Sequence, residues 1–195
     1  MIASPALLAL REATASAHEA LETEARIEAR LADPTTRAAT VAAFHRFHAG
    51  LEPTSHPQVA ELNRAVGASF APRSRADGIA ADLAALGEPT PPSALAPQPR
   101  SAGEALGWVY VAEGSMLGGR IIRRRLTAEG RGLEGLAFLD PYGEETGARW
   151  RAFIALLDLA CTSGRASVDQ IVQGGVDGFA FAQRTLQPQT QDAAA

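Results

Sequence analysis

The chain contains no lysine: its 18 basic residues are all arginine, set against 22 acids for a net charge of −4. A protein that grips duplex DNA normally carries a basic surplus, so a nucleic-acid partner is not expected. One cysteine, Cys161, stands alone, which rules out a disulfide within the chain and points to a reducing, cytoplasmic setting. No apolar run approaches the ~20 residues that a membrane span needs, so no membrane is expected as a partner. The opening Met1-Ile2-Ala3-Ser4-Pro5 lacks the basic and apolar blocks of a secretion signal. Period-two runs of β-branched residues, the mark of half-buried strands, are also missing, as are internal repeats. What is present is 46% hydrophobic and 21% charged, ordinary for a globular protein and incompatible with wholesale disorder. Alanine and leucine dominate. The expectation is an all-α fold, one domain over residues 1–188 with a flexible C-terminal tail at 189–195.

Ser4-Pro5 reads as an N-cap and a first-turn proline, opening a helix that can run to about Leu31. Asp33-Pro34 stops it, and Thr35 or Thr36 can cap a second helix through Leu51. Pro53 to Pro57 reads as a break, followed by short helices over Val59–Val66 and Arg75–Leu86. Glu88 to Pro99 holds five prolines and reads as an extended loop inside the domain. A long helix from Ser101 to about Glu129, one around Trp150–Ala160 and a last one over Ser167–Leu186 complete the order.

The long helix is unusual in its glycines. Each costs roughly 1 kcal/mol against alanine in a helix interior. Gly107, Gly114 and Gly118 are spaced by seven and four and so share one face, and Gly118-Gly119 can permit a kink. Two readings are open: close packing against another helix, or a large flat ligand lying against bare backbone. The first helix offers a counterpart. His18 is followed at i+4 by Glu22, whose carboxylate can hold one imidazole nitrogen and leave the other for a metal, with Arg11 two turns earlier on the same side.

Taken together, Leu10-Arg11-Glu12-Ala13-Thr14-Ala15-Ser16-Ala17-His18-Glu19-Ala20-Leu21-Glu22 resembles the proximal-helix motif of the heme oxygenases. The run Gly107-Trp108-Val109-Tyr110-Val111-Ala112-Glu113-Gly114-Ser115-Met116-Leu117-Gly118-Gly119 resembles the distal helix of bacterial members that form biliverdin. The resemblance implies a helical bundle with heme b between a proximal N-terminal helix and a kinked glycine-rich distal helix. It implies His18 as the iron ligand, and Gly114, Ser115, Gly118 and Gly119 on the opposite side. Heme would be both cofactor and substrate, cleaved with O2 to biliverdin, carbon monoxide and ferrous iron. Electrons would come from an external donor (a ferredoxin, flavodoxin or reductase), and a bacteriophytochrome is a candidate recipient of the product.

Two departures matter. Where animal members place an aspartate after the first distal glycine, this chain has Ser115, so the proton relay must be rebuilt. With no lysine, arginines must hold the heme propionates; Arg11 matches one such position and Arg124 is the second candidate. Arg120, Arg123, Arg124 and Arg125 form a basic patch that is a solvated face, a propionate site or a landing point for an acidic donor. His45 and His48, with His56 placed in a loop, offer no recognisable zinc set. The competing readings are a non-catalytic heme or tetrapyrrole carrier of the same fold, a di-iron oxygenase, for which no Glu-x-x-His pair exists, and a ligand-free helical module.

Overall fold

The computed structural model describes residues 4–188, and every regular element among them is helical. The tail expected at 189–195 lies outside the described residues. No described helix is long and apolar enough to cross a membrane.

Helix α1 spans Pro5–Ala25, with the Ser4 hydroxyl accepting from the Leu7 amide at 3.3 Å while donating to Asp158. It stops short of the expected Leu31. Arg26 turns left-handed, at φ 45°, and a short α2 follows over Ile27–Ala32. The turn allows Ala25 and Leu31 both to be fully buried, and the Arg30 guanidinium donates to the Ala25 carbonyl and to that of Leu186.

Helix α3, Pro34–Ala65, differs more from expectation. Its cap is Asp33, whose carboxylate accepts from the Thr35 amide at 2.9 Å, and it runs unbroken through Pro53 and Pro57, so His56 is helical. Each interior proline removes a donor and costs about 3 kcal/mol. Thr54 and Ser55 both donate their hydroxyls to the Leu51 carbonyl, at 2.9 and 2.8 Å. Leu51, Ser55, Val59 and Leu62 form one buried stripe across the prolines, and that packing carries the helix onward.

Helix α4 covers Ala76–Ala85. The proline-rich connector then lies across α3, the Ala94 amide donating to the Arg46 carbonyl at 3.2 Å. Helix α5, Ala102–Ala128, is the central element and continues through Gly118-Gly119 without interruption. Two 3-10 turns, Ala137–Leu139 and Gly143–Glu145, lead to α6 over Thr146–Thr162. Helix α7, Val168–Leu186, begins with a reciprocal capping box between Ser167 and Gln170, worth about 1 kcal/mol.

Glycine decides how α5 meets α7. A β-carbon on Gly107 would land on the Ile171 carbonyl oxygen and the Gly175 amide, and one on Gly174 would land on the Glu104 carbonyl. The two backbones touch there. Trp108 fills the adjacent core beside Phe181, ring centroids 5.5 Å apart, at 1% exposure.

Candidate functional site

Beyond that contact the helices part, and a cavity of about 670 Å³ opens between α1, α3, α5 and α7. Gly114 and Gly118 line it, and a β-carbon built on either meets nothing within 4 Å. The glycines of this face therefore divide in what surrounds them. Gly107 serves helix packing, Gly114 and Gly118 leave bare backbone facing open space. Gly119 also lines the cavity, but a β-carbon built on it would lie 2.5 Å from the Leu139 carbonyl oxygen.

From α1 the cavity receives Arg11, His18, Leu21 and Glu22. The His18 Nδ1 lies 3.6 Å from Glu22 Oε1, too long for a hydrogen bond but close enough to orient the ring, and leaves Nε2 uncommitted. The imidazole side chain is 58% exposed and sits beside the Phe179 ring, centroids 5.7 Å apart. Phe44, Phe47, Phe138, Leu139, Ala182 and Leu186 give the interior its apolar character.

On the α5 side Ser115 donates its hydroxyl to the Ala112 carbonyl at 2.7 Å and accepts from Arg75 Nη1 at 3.0 Å. Arg75 was not legible as a site residue. Its guanidinium is buried, also donates to the carbonyls of Ala112 and Phe138, and lines the cavity. Behind it, the Arg75 amide donates to Glu52 at 2.8 Å, and Glu52 lies 3.2 Å from the His48 imidazole one helical turn away. Burial, helped by the Arg75 charge and opposed by Glu52, pushes the His48 imidazolium down to about 4, so this ring is neutral at neutral pH. Glu52 is held below the usual carboxylate range: burial opposes its ionisation, and the bonds from His48, Arg75 and Ser74 outweigh it. A second buried pair, Glu113 with Arg149 at 2.6 Å, ties α5 to α6 next to Gly114, the guanidinium stacked between the Phe70 and Tyr142 rings. Among the described residues no group of three or more His, Cys, Asp or Glu side chains is poised to hold a metal.

The sequence-based site is corrected at one place. Arg124 is exposed and not part of the cavity wall; Arg125 is, and it pairs with Glu28 of α2 at 2.8 Å. The reason is helical phase. Gly114, Gly118, Ile121, Ile122 and Arg125 form one stripe at intervals of four, seven, eight and eleven residues, and Arg124 lies about 100° off it. Arg120 is drawn to Asp140 at 3.2 Å.

Residues 4–188 match the family profile described as Heme oxygenase. A heme oxygenase of Xanthomonas campestris pv. campestris is 36% identical over 141 residues, covering 71% of this chain and 82% of that protein. Heme oxygenase PigA of Pseudomonas aeruginosa is 34% identical over 150 residues, 72% of this chain and 71% of the relative. A crystal structure of the NO- and CO-bound heme oxygenase from Neisseria meningitidis superposes with a TM-score of 0.70 at 26% identity, covering 91% of this chain and 87% of that one. With an all-helical fold, a slot between His18 and bare glycine backbone, and these relatives, the chain belongs to the heme oxygenase family, whose members degrade heme.

Proposed function

We propose that this chain, acting as one domain over residues 1–188, takes heme b as both cofactor and substrate and cleaves it to biliverdin IXα, carbon monoxide and ferrous iron. O2 and electrons from a ferredoxin, flavodoxin or reductase complete the reaction. A reducing cytoplasm and a bacteriophytochrome as recipient of the bilin belong to the same reading. The observation that carries it is the pairing of His18 with the open faces of Gly114 and Gly118 across one apolar slot.

The residues fit a flat iron macrocycle. His18 Nε2 is the free imidazole nitrogen that would take the iron, with Glu22 orienting the ring through Nδ1. The space over Gly114 and Gly118, where no β-carbon stands, admits a planar group to within van der Waals reach of the main chain. Heme, when bound, supplies the O2-binding and redox chemistry. The protein supplies the rest. Phe44, Phe47, Phe138 and Phe179 exclude water from the slot's interior. Arg75 keeps a fixed positive charge at the distal wall and holds the Ser115 hydroxyl through its lone pair, so that side chain points its proton at the Ala112 carbonyl at rest. Water admitted beside this pair would be oriented as a proton source, in place of the aspartate absent here. Arg11 is exposed at the slot, forms no ion pair among the described residues, and would hold heme propionates by charge-assisted bonds worth roughly 1.5–3 kcal/mol. That anchoring is the basis for α-meso cleavage.

Anaerobic titration with heme, followed by reductant and oxygen, tests the proposal. The Soret band should decay while bilin absorbance rises, with biliverdin IXα as the main product by chromatography. A carrier would keep its heme, and that result would end the enzymatic reading.

A further inference from the structure

The two cations available for heme carboxylates stand at opposite ends of the slot. Arg11 is seven residues before His18, and Arg125 seven residues after Gly118, each a displacement of roughly 10 Å along its helix. The helices run in the same sense. Leu7 and Leu10 of α1 share a core with Leu106 and Val109 of α5, whereas Leu21 and Ile27 pack into the core that holds Ile122 and Leu126. The two propionates of heme leave from one edge of the ring, so a single seating engages one end or the other. A heme seated toward Arg125 is rotated in its plane and presents a different meso carbon to the distal wall.

The ends differ in charge. The charged or imidazole side chains lining the slot are Arg11, His18, Glu22, Glu28, Arg75 and Arg125. Arg75 is buried in the wall, its Nη1 and Nη2 donating to Ala112, Ser115 and Phe138. At the far end Arg125 Nη1 is occupied by Glu28 Oε2 at 2.8 Å, and Glu22 adds a second carboxylate on that side of His18. The far end thus carries a net charge of about −1 and the near end, with Arg11, about +1, by formal charges at neutral pH. A dianionic ring edge is repelled from the first and attracted to the second.

We propose that Glu28 is a specificity-determining residue: by occupying Arg125 it closes the far end of the slot to propionates and confines heme to the Arg11 seating. This rests on the heme reading above and deepens it. Glu28 acts as an internal carboxylate competing with those of the substrate. Its bond to Arg125 is partly exposed, the two side chains being 36% and 61% accessible, so the bias it imposes is moderate and adjustable by single substitutions.

The test uses the full-length protein with ferric heme and reads proton NMR of the hyperfine-shifted heme methyl groups, which reports in-plane seating without turnover. Glu28→Gln should raise the ratio of the rotated to the main seating by roughly two- to five-fold. The double variant Glu28→Gln with Arg125→Met should return it to the wild-type value, since the freed cation is then gone. Under reductant and oxygen, the biliverdin isomer ratio should move in parallel. An unchanged seating ratio in Glu28→Gln, or a rotated seating that persists in the double variant, overturns the proposal. A wild-type protein that binds heme but leaves it intact defeats the enzymatic reading alone, because the NMR comparison still reports what Glu28 does to the seating.

Discussion

Gly118 and Gly119 are neighbours on one helix, yet alanine at the two positions should have opposite consequences. The gain in intrinsic helix propensity is common to both, about 0.5–1 kcal/mol. At Gly118 the new methyl enters open space, so the gain stands and the unliganded protein should melt about 1–4 °C higher. At Gly119 the methyl would lie 2.5 Å from the Leu139 carbonyl oxygen and 3.2 Å from two further backbone atoms of that residue. Backbone cannot rotate aside as a side chain can, and overpacking of this kind costs typically 1–3 kcal/mol, so the melting temperature should fall. The difference between the variants, roughly 1–3 kcal/mol, is independent of helix propensity. Function should invert the order. Gly118→Ala narrows the slot beside the distal face and should slow heme degradation, and Gly118→Leu should nearly abolish it while the protein stays folded. Thermal denaturation of both variants, paired with single-turnover heme degradation, decides the matter. If Gly118→Ala melts as low as Gly119→Ala, or Gly118→Leu degrades heme at the wild-type rate, the open glycine face is not the distal surface.

His18→Ala should bind ferric heme with altered coordination in its absorption spectrum and lose turnover, with added imidazole restoring part of it; wild-type spectra and rates would remove His18 from the iron. Arg75→Met keeps the bulk of the side chain but drops its hydrogen bonds to Ser115, Ala112 and Phe138, so oxygen-dependent turnover should fall at least tenfold more than heme affinity, and equal losses would assign Arg75 a purely structural part. His48, ordinarily titrating near 6.5 but pushed to about 4 when folded, binds its proton more readily in the unfolded chain. Stability should therefore decline as pH falls from 6.5 toward 4, by up to about 3 kcal/mol from this group, and His48→Gln should flatten the slope in urea titrations run across that range.

The parts of the protein written in contiguous segments were readable. An alanine- and leucine-rich chain without alternating β-branched runs folded as helices, and the two glycine-and-histidine motifs lie on the two sides of one slot. Arg75 reaches Ser115 from 40 positions away, and Glu28 meets Arg125 across 97, so no local spacing announces either pair. Arg124 and Arg125 differ by one residue, which on a helix is 100°, so the second lies on the stripe that lines the cavity and the first does not. The prolines of α3 were misread for a related reason. Their local cost is certain from sequence, but the buried stripe from Leu51 to Leu62 that outweighs it depends on what the helix packs against. Arg26 likewise adopts a left-handed turn that favours glycine or asparagine by local energetics, and does so because Ala25 and Leu31 both reach the core.

The backbone contact at Gly107 and Gly174 makes α5 and α7 a pair of tongs hinged near one end. Neither glycine at the crossing has a side chain to slide or repack, so a small tilt of the two helices would leave this close approach in place. Gly118 stands eleven residues along, about 16 Å from the hinge, and a tilt of about 5° moves it by about 1.5 Å. The jaw therefore widens most where the bare backbone faces the slot and least where the helices are locked together. A rigid flat ring and the opened, flexible tetrapyrrole that replaces it need different clearances, and a tilt about this contact would change the slot most where the bare backbone lines it. A methyl group at Gly107 would shim the hinge itself and set the jaw permanently ajar.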